Sequence, residues 1–119
     1  MKIIDIKTQD IRFPTSKDNL GTDAVHVDCD YSATYVTIFT DQKDLTGIGL
    51  TFTIGKGNDL CCTVIEYFKE FIIGKDIEAI EKEIASIWEK ITNHSQLRWV
   101  GPQKGVTHLA AAAFFNAIW

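Results

Sequence analysis

The C-terminal stretch, residues 104–119, constrains the fold more than any other part of this chain. It reads KGVTHLAAAAFFNAIW, and beyond His108 its only polar side chain is Asn116. A helix that is apolar on nearly every face is normally buried all round or spans a membrane. Because a bilayer requires roughly 20 apolar residues, this helix is too short to span one. No Gly or Asn follows Trp119 as a stop signal, so we expect an exposed apolar helix that needs more protein around it.

Composition is typical of a single soluble domain. The chain has 119 residues, of which 45% are hydrophobic and 24% charged. Its net charge of −4 argues against general nucleic-acid binding, which requires a basic surface. Three cysteines without Cys-x-x-Cys spacing, and no apolar signal region, predict a cytoplasmic protein with reduced thiols and no membrane association.

The first half of the chain predicts three strands. Alternation of Ile4 and Ile6, then of Ile11 and Phe13, indicates a first strand with a bulge near residues 8–9, ended by Pro14. Residues 33–40 are rich in β-branched and aromatic side chains and predict a second strand. A third is predicted on one clean apolar face: Ile48, Leu50, Phe52 and Ile54. One long and one short connection favour an antiparallel meander.

The second half predicts three helices. An apolar stripe from Leu60 to Ile72 can be capped by Asn58 or Asp59, and a second stripe from Ile77 to Ile91 starts at Asp76. A connector, residues 96–102, leads to the terminal helix. The predicted class is therefore α+β, a three-stranded antiparallel β-meander followed by a helical bundle.

Several residues invite a chemical interpretation, each with a structural alternative. His26, His94 and His108 lie far apart and share no metal-ligand spacing, so a structural role is favoured over a zinc site. The turn Gly55-Lys56-Gly57 precedes a helix start, where backbone N–H groups and a lysine can hold an anionic group. It lacks the complete pattern of a P-loop or dinucleotide fingerprint, and an ordinary strand-to-helix turn is an equal alternative.

The loop of residues 15–31 and the connector carry further candidates. A loop of this length is usually functional or disordered. Its acids could bind a cation or polyol hydroxyls, although a solvated acidic loop is the commoner case: Asp18, Asp23, Asp28 and Asp30. Arg98-Trp99 could stack on or pair with a ligand, although a half-buried Trp beside a surface Arg is more usual. No nucleophile with its base and orienting group can be assembled, so no catalytic residue is predicted.

Four segments together resemble the L-fuconate dehydratases of the enolase superfamily. They are residues 10–16 (DIRFPTS), 28–33 (DCDYSA), 50–58 (LTFTIGKGN) and 96–106 (QLRWVGPQKGV). The resemblance runs from about residue 5 to the last residue, and the connector is its most distinctive part. The chain departs from the family pattern at Val25, Cys29 and Gln103. The first two lie in the loop that would touch substrate.

The resemblance implies an N-terminal capping domain, residues 1–119, that closes over a catalytic (β/α) barrel. In such enzymes the barrel holds Mg²⁺ and removes the proton α to the substrate carboxylate; loss of a hydroxyl gives a 2-keto-3-deoxy sugar acid. Carried over by position, the implied substrate contacts are Gly21, Thr22, Asp23 and Tyr31, with Lys56 and Lys104 as weaker candidates.

The implied barrel, which requires roughly 250 residues, is expected to be absent from this chain. We therefore expect a domain that is not catalytic alone and holds neither a metal nor a cofactor. Sugar acid would be its partner once a barrel is present, and homo-oligomers would form through the exposed terminal helix. The alternative is a stand-alone binding or interaction module with the same fold, which would show that helix fully buried and capped.

Overall fold

The computed structural model describes residues 1–101 and 103–119; Pro102, part of the predicted connector, lies outside the described residues. Three strands come first: β1 (Ile3–Ile11), β2 (Ser32–Thr40) and β3 (Thr46–Thr53). Three α-helices follow: α1 (Asn58–Phe68), α2 (Ile77–Thr92) and α3 (Val106–Ile118). The strands form one antiparallel sheet in the order β1-β2-β3. The predicted α+β class and meander are confirmed.

Strand β1 contains its irregularity at a different place from the one predicted. The pairing with β2 shifts between Ile3 and Asp5, whereas Thr8 and Gln9 pair regularly with Val36 and Tyr35. The physical reason lies in the buried pair Ile3 and Ile6, which are three residues apart. Strict alternation would send them to opposite faces, and one extra residue in the strand lets both reach the core.

Strand β3 presents the opposite face to the core from the one predicted. Its inward-facing residues are Gly47, Gly49, Thr51 and Thr53, paired across the sheet with Ile38, Val36, Thr34 and Ser32. The apolar row faces solvent instead, with exposed fractions of 65% for Ile48, 44% for Leu50, 54% for Phe52 and 45% for Ile54. The prediction of an apolar core face on β3 is therefore wrong.

Helix α3 explains the inversion, because it lies directly on the glycine side of β3. A Cβ added to Gly47 would strike the carbonyl oxygen of Ala117, and one added to Gly49 would strike that of Ala113. A helix rich in alanine can approach a strand this closely only where the strand has no side chain. The backbones of β3 and α3 are therefore in direct contact, at the positions where large apolar side chains of β3 were expected to fill the core.

Burial of α3 overturns the expectation of an exposed terminal helix. Its buried residues are Thr107, Ala110, Ala111, Ala113, Phe114, Phe115 and Ala117. Phe114 packs edge-on against Phe68 of α1, with ring centroids 5.4 Å apart. Leu109 and Trp119 are still exposed, by 41% and 80%. The chain itself supplies most of the cover for this helix.

The start of α1 differs from the predicted cap. Gly57 occupies the N-cap position and no side chain caps the helix. Asn58 is fully buried inside the first turn, where its Nδ2 donates to Asp10 Oδ1 (3.0 Å) and to the carbonyl of Ile11 (3.2 Å). Its Oδ1 accepts a hydrogen bond from Thr53. Asn58 therefore ties α1 to the ends of β1 and β3 instead of capping its own helix.

Candidate functional site

The loop between β1 and β2 is folded by its own hydrogen bonds. Thr15 donates its hydroxyl to the carbonyl of Cys29 (3.1 Å) and accepts from the amide of Tyr31 (3.0 Å). Asp30 Oδ1 accepts from both the amide (3.1 Å) and the hydroxyl (2.7 Å) of Ser16. The amide of Asp30 also donates to the carbonyl of Ile54 (3.0 Å), which joins this loop to the end of β3. The long loop therefore has a defined shape.

Two of the implied substrate contacts, Gly21 and Tyr31, touch each other in this loop. The Tyr31 hydroxyl donates to the carbonyl of Gly21, and the Cys29 thiol points to the same carbonyl at 3.4 Å. Gly21 has φ of 73°, and an added Cβ would collide with the Tyr31 ring. Only glycine meets both requirements. The Tyr31 ring also lies 5.6 Å from that of Phe52, so the loop rests on the outer face of β3.

Titration of Tyr31 follows from these neighbours. Hydrogen bonding with Cys29, and then burial of the hydroxyl, raise the pKa of Tyr31 above its usual 10.0. The phenol is therefore neutral at physiological pH. It can accept a hydrogen bond from a ligand hydroxyl while it donates to Gly21.

Asp23 is the anionic group of the loop. Its Oδ1 accepts from the amides of Val25 (2.8 Å) and His26 (2.7 Å), and its Oδ2 lies 3.3 Å from His26 Nδ1. The backbone hydrogen bonds from His26 and Val25 lower the pKa of Asp23 below 3.8. The side chain is 58% exposed. An ionised, exposed carboxylate with free lone pairs can bind hydroxyl groups of a polyol. The Thr22 hydroxyl donates to the carbonyl of Asn19 (3.1 Å).

Lys56 lies in the turn between β3 and α1, across from the loop acids. It lines a cavity of about 370 Å³ together with Arg12, Ser16, Asp28 and Asp30. Among the described residues, Lys56 forms no ion pair. Arg12 is engaged, since its Nη2 lies 2.8 Å from Asp10 and 3.3 Å from Asp59. Lys56 therefore provides an available positive charge beside the loop, as the turn motif suggested.

Lys104 stands apart from the other implied contacts. It lines a separate cavity with Arg98 and His108, between the end of α2 and the start of α3. The structure thus brings together Gly21, Asp23 and Tyr31 in one loop and sets Lys56 beside that loop. It does not bring Lys104 into that group.

Sequence reasoning missed the residues that shape the loop. Ser16 and Asn58 received no site role, although one holds Asp30 and the other joins α1 to β1 and β3. Asp30 was expected to be solvated, yet hydrogen bonds from the Ser16 side chain and backbone lower its pKa below 3.8. Its partner lies fourteen residues away in the chain, so no local pattern marks the pair.

Within residues 1–101 and 103–119, no three or more His, Cys, Asp or Glu side chains cluster in a way that could hold a metal ion. Nor does any helix there combine the length and apolar character needed to cross a bilayer. The thiols are free, and burial raises the pKa of Cys61 to about 11.

Comparison with known proteins gives concordant sequence and structural matches. No protein-family model matches the chain. Human mitochondrial enolase superfamily member 1 is 43% identical over 119 residues, covering 99% of this chain and 27% of that protein. L-galactonate dehydratase from Hypocrea jecorina is 44% identical over 117 residues, covering 98% and 26%. The chain thus spans about a quarter of the length of these relatives.

Solved structures extend the agreement to the fold. The crystal structure of the human relative superimposes with a TM-score of 0.91 over 99% of this chain and 27% of that one. L-talarate dehydratase from Polaromonas sp. JS666, complexed with Mg and L-glucarate, superimposes at 0.67 with 17% identity, covering 99% of this chain and 28% of that one. At that identity the second match supports the fold alone. In sequence and in fold, the chain is similar to about a quarter of the length of these enolase superfamily proteins, and its three strands followed by three helices match the enolase N-terminal capping domain.

Proposed function

We propose that this chain is the substrate-capping domain of a Mg²⁺-dependent sugar-acid dehydratase, of the L-fuconate dehydratase type, and is not catalytic alone. The observation that carries the proposal is the 44% identity with an L-galactonate dehydratase across 98% of the chain. The defined loop of Gly21, Asp23 and Tyr31, with Lys56 beside it, supports it further. L-Fuconate is L-galactonate without its 6-hydroxyl group, so the two names describe closely similar substrates.

In this proposal the loop residues recognise the polyol and the carboxylate of a sugar acid. Asp23 accepts hydrogen bonds from substrate hydroxyls, Tyr31 accepts a further one, and Lys56 attracts the carboxylate. The fold of the loop against Phe52 pre-organises these groups, which lowers the cost of binding. Closure of the domain over a barrel would also exclude water from the reaction.

In this proposal, the metal and the proton-abstracting base lie in the barrel domain. The described residues contain no cluster able to hold Mg²⁺. When bound in such enzymes, Mg²⁺ stabilises the charge that develops as the α proton is removed. This chain's own residues would orient the substrate, and loss of water would yield a 2-keto-3-deoxy sugar acid. A cytoplasmic location and homo-oligomeric assembly are parts of the same proposal.

A chimera tests the proposal directly. The matching segment of the Hypocrea jecorina L-galactonate dehydratase would be replaced by this chain, and dehydration of L-galactonate and L-fuconate would be measured with Mg²⁺. We expect the chimera to turn over at least one of the two substrates, and the isolated chain to turn over neither. Asp23→Asn should raise KM, because a neutral amide binds substrate hydroxyls less strongly than a carboxylate.

The matched control for the chimera is Asp18→Asn, which removes a carboxylate from the same loop at a position with no implied substrate contact. It should leave KM unchanged. Turnover by the isolated chain would contradict the capping role. A folded chimera with neither activity would contradict it as well.

A second candidate is a stand-alone binding or interaction module. The burial of α3 within the chain favours it, since the core is closed without a second chain. Sedimentation and thermal unfolding of the 119-residue chain distinguish the two candidates. A monomer with a cooperative transition supports the module, whereas aggregation relieved by fusion to a barrel supports the capping domain.

A further inference from the structure

A cavity separate from the loop site lies between the end of α2, the turn Leu97–Trp99 and the first turn of α3. Its volume is about 470 Å³, which is within the usual size range of small-molecule sites. The polar residues that line it are Thr92, Asn93, Arg98, Gln103, Lys104, Thr107 and His108. Of the implied substrate contacts, Lys104 alone lines this cavity, and the loop groups Gly21, Asp23 and Tyr31 do not.

The cavity is positively charged in a protein that is negatively charged overall. Arg98 and Lys104 both line it, and no Asp or Glu is among the described residues around it. Neither cation forms an ion pair with another described residue. The net charge of the chain is −4, so two unpaired cations facing one space are not a consequence of composition.

Neutral hydrogen-bond donors accompany the two cations. The side-chain amides of Asn93 and Gln103 line the same space. Thr107 does so as well, in the first turn of α3, which has no side-chain cap. The free N–H groups of such a turn add favourable potential for a negative charge. Arg98 also lies 5.6 Å from the Trp99 ring centroid, which restricts its position.

Lys104 is held in a backbone conformation that lysine seldom adopts. Its φ is 66°, in the left-handed region that glycine occupies without penalty. Such conformations are retained where the surrounding structure demands them, and they cluster at ligand sites. A glycine would satisfy the turn, so the ammonium group is the property that the lysine adds.

We propose that this cavity is a binding site for a small oxyanion, a compound with a carboxylate or phosphate group. Arg98 offers a planar pair of N–H donors and Lys104 a point charge, while the amides and Thr107 complete the hydrogen bonds. The proposal does not depend on a catalytic barrel. It concerns residues other than the loop groups assigned to sugar-acid binding.

Titration of the ¹⁵N-labelled 119-residue chain tests the site. Sodium phosphate and sodium acetate would be added separately, with sodium chloride at equal ionic strength as the reference. We expect saturable shifts of the Trp99 indole and of the Lys104 and Thr107 amide signals with phosphate or acetate, and none with chloride. The anion that saturates at the lower concentration identifies whether the ligand group is a phosphate or a carboxylate.

Two variants assign the effect to the cavity. Arg98→Gln and Lys104→Gly should each weaken binding by roughly tenfold or more, because each removes a charge-assisted hydrogen bond. Lys104→Gly suits the left-handed conformation, so loss of binding there is not a folding defect. Lys43→Gln, at an exposed position in the turn between β2 and β3, removes the same charge outside the cavity and should change nothing.

Three results would overturn the proposal. The first is the absence of saturable shifts with both oxyanions. The second is an equal response to chloride, which would indicate general screening. The third is a response that survives both Arg98→Gln and Lys104→Gly in folded protein.

Discussion

The two faces of β3 differ in burial, and each differs from what its residues suggest: the small and polar residues are covered, and the large apolar residues are exposed. The inner face holds Gly47, Gly49, Thr51 and Thr53 and is covered by α3. The outer face holds Ile48, Leu50, Phe52 and Ile54, all at least 44% exposed. The difference teaches that the size of a side chain does not decide which face is buried. The partner element decides it, through the distance at which it packs.

The alternation of residues along a strand does not by itself show which face of the strand is buried. A period of two separates the residues of a strand into two sets, and hydrophobicity normally tells which set is buried. Here the small set is buried because α3 needs space for its backbone, and the apolar set is left as an exposed row. Exposed apolar rows on this scale are typical of interaction surfaces. In the proposed full enzyme or its oligomer, this row is where we expect cover.

Replacing a phenylalanine on each side of the sheet should give the largest contrast. Phe114 of α3 is fully buried on the inner side, and Phe52 is 54% exposed on the outer side. We expect Phe114→Ala to lower the free energy of unfolding by about 3–5 kcal/mol, since it leaves a cavity in the core. Phe52→Ala should cost under about 1 kcal/mol. Urea denaturation measures both; equal losses would show that the outer row is buried in solution.

A larger residue at Gly49 should break the contact that creates the two faces. Valine favours strands, so local propensity predicts that Gly49→Val stabilises β3. The carbonyl of Ala113 leaves no room for its Cβ, so we expect a loss of about 1–3 kcal/mol. Ile48→Val on the outer face is the control and should change stability by less than about 0.5 kcal/mol. A stabilised Gly49→Val variant would mean that α3 does not lie on β3.

The smallest expected effect is on the pH dependence of stability, and it comes from Asp30, the loop residue whose amide binds the end of β3. The pKa of Asp30 is lowered in the folded state. Its ionised carboxylate therefore stabilises the fold at pH values above 3.8, the ordinary pKa of the group. That contribution is lost as the pH falls through the lower folded-state pKa. Thermal unfolding at a series of pH values should therefore show a weaker acid destabilisation for Asp30→Asn than for the unmodified chain.

Asp18→Asn provides the control for that experiment, because Asp18 is in the same loop and no described residue donates a hydrogen bond to its carboxylate. The Asp18 variant should retain the acid destabilisation of the unmodified chain. Identical pH profiles for Asp30→Asn and the unmodified chain would show that the Ser16 contact contributes nothing in solution.

Local sequence patterns predicted the strands and helices well, but they predicted poorly which residues contact each other across the fold. The order of three strands and three helices, and the start of α2 after Asp76, follow from periodicity and turn residues. The bulge at Ile4 and the hydrogen bonds of Asn58 do not, because both depend on contacts between distant parts of the chain. The resemblance of residues 28–33 indicated the loop, but it did not reveal that Tyr31 donates to Gly21 and rests on Phe52.

Residues 104–119 show the same division most clearly. Their composition by itself determined that a short, uniformly apolar helix had to be buried, because leaving it in water costs roughly 1.5–3 kcal/mol for each large side chain. Only the tertiary structure decided what buries it. Gly47 and Gly49 are separated from Ala117 and Ala113 by more than sixty positions in the sequence, and their fit depends on the absence of a Cβ at the point of closest approach. That complementarity of two backbones is a property of the folded chain, and no periodicity within either segment encodes it.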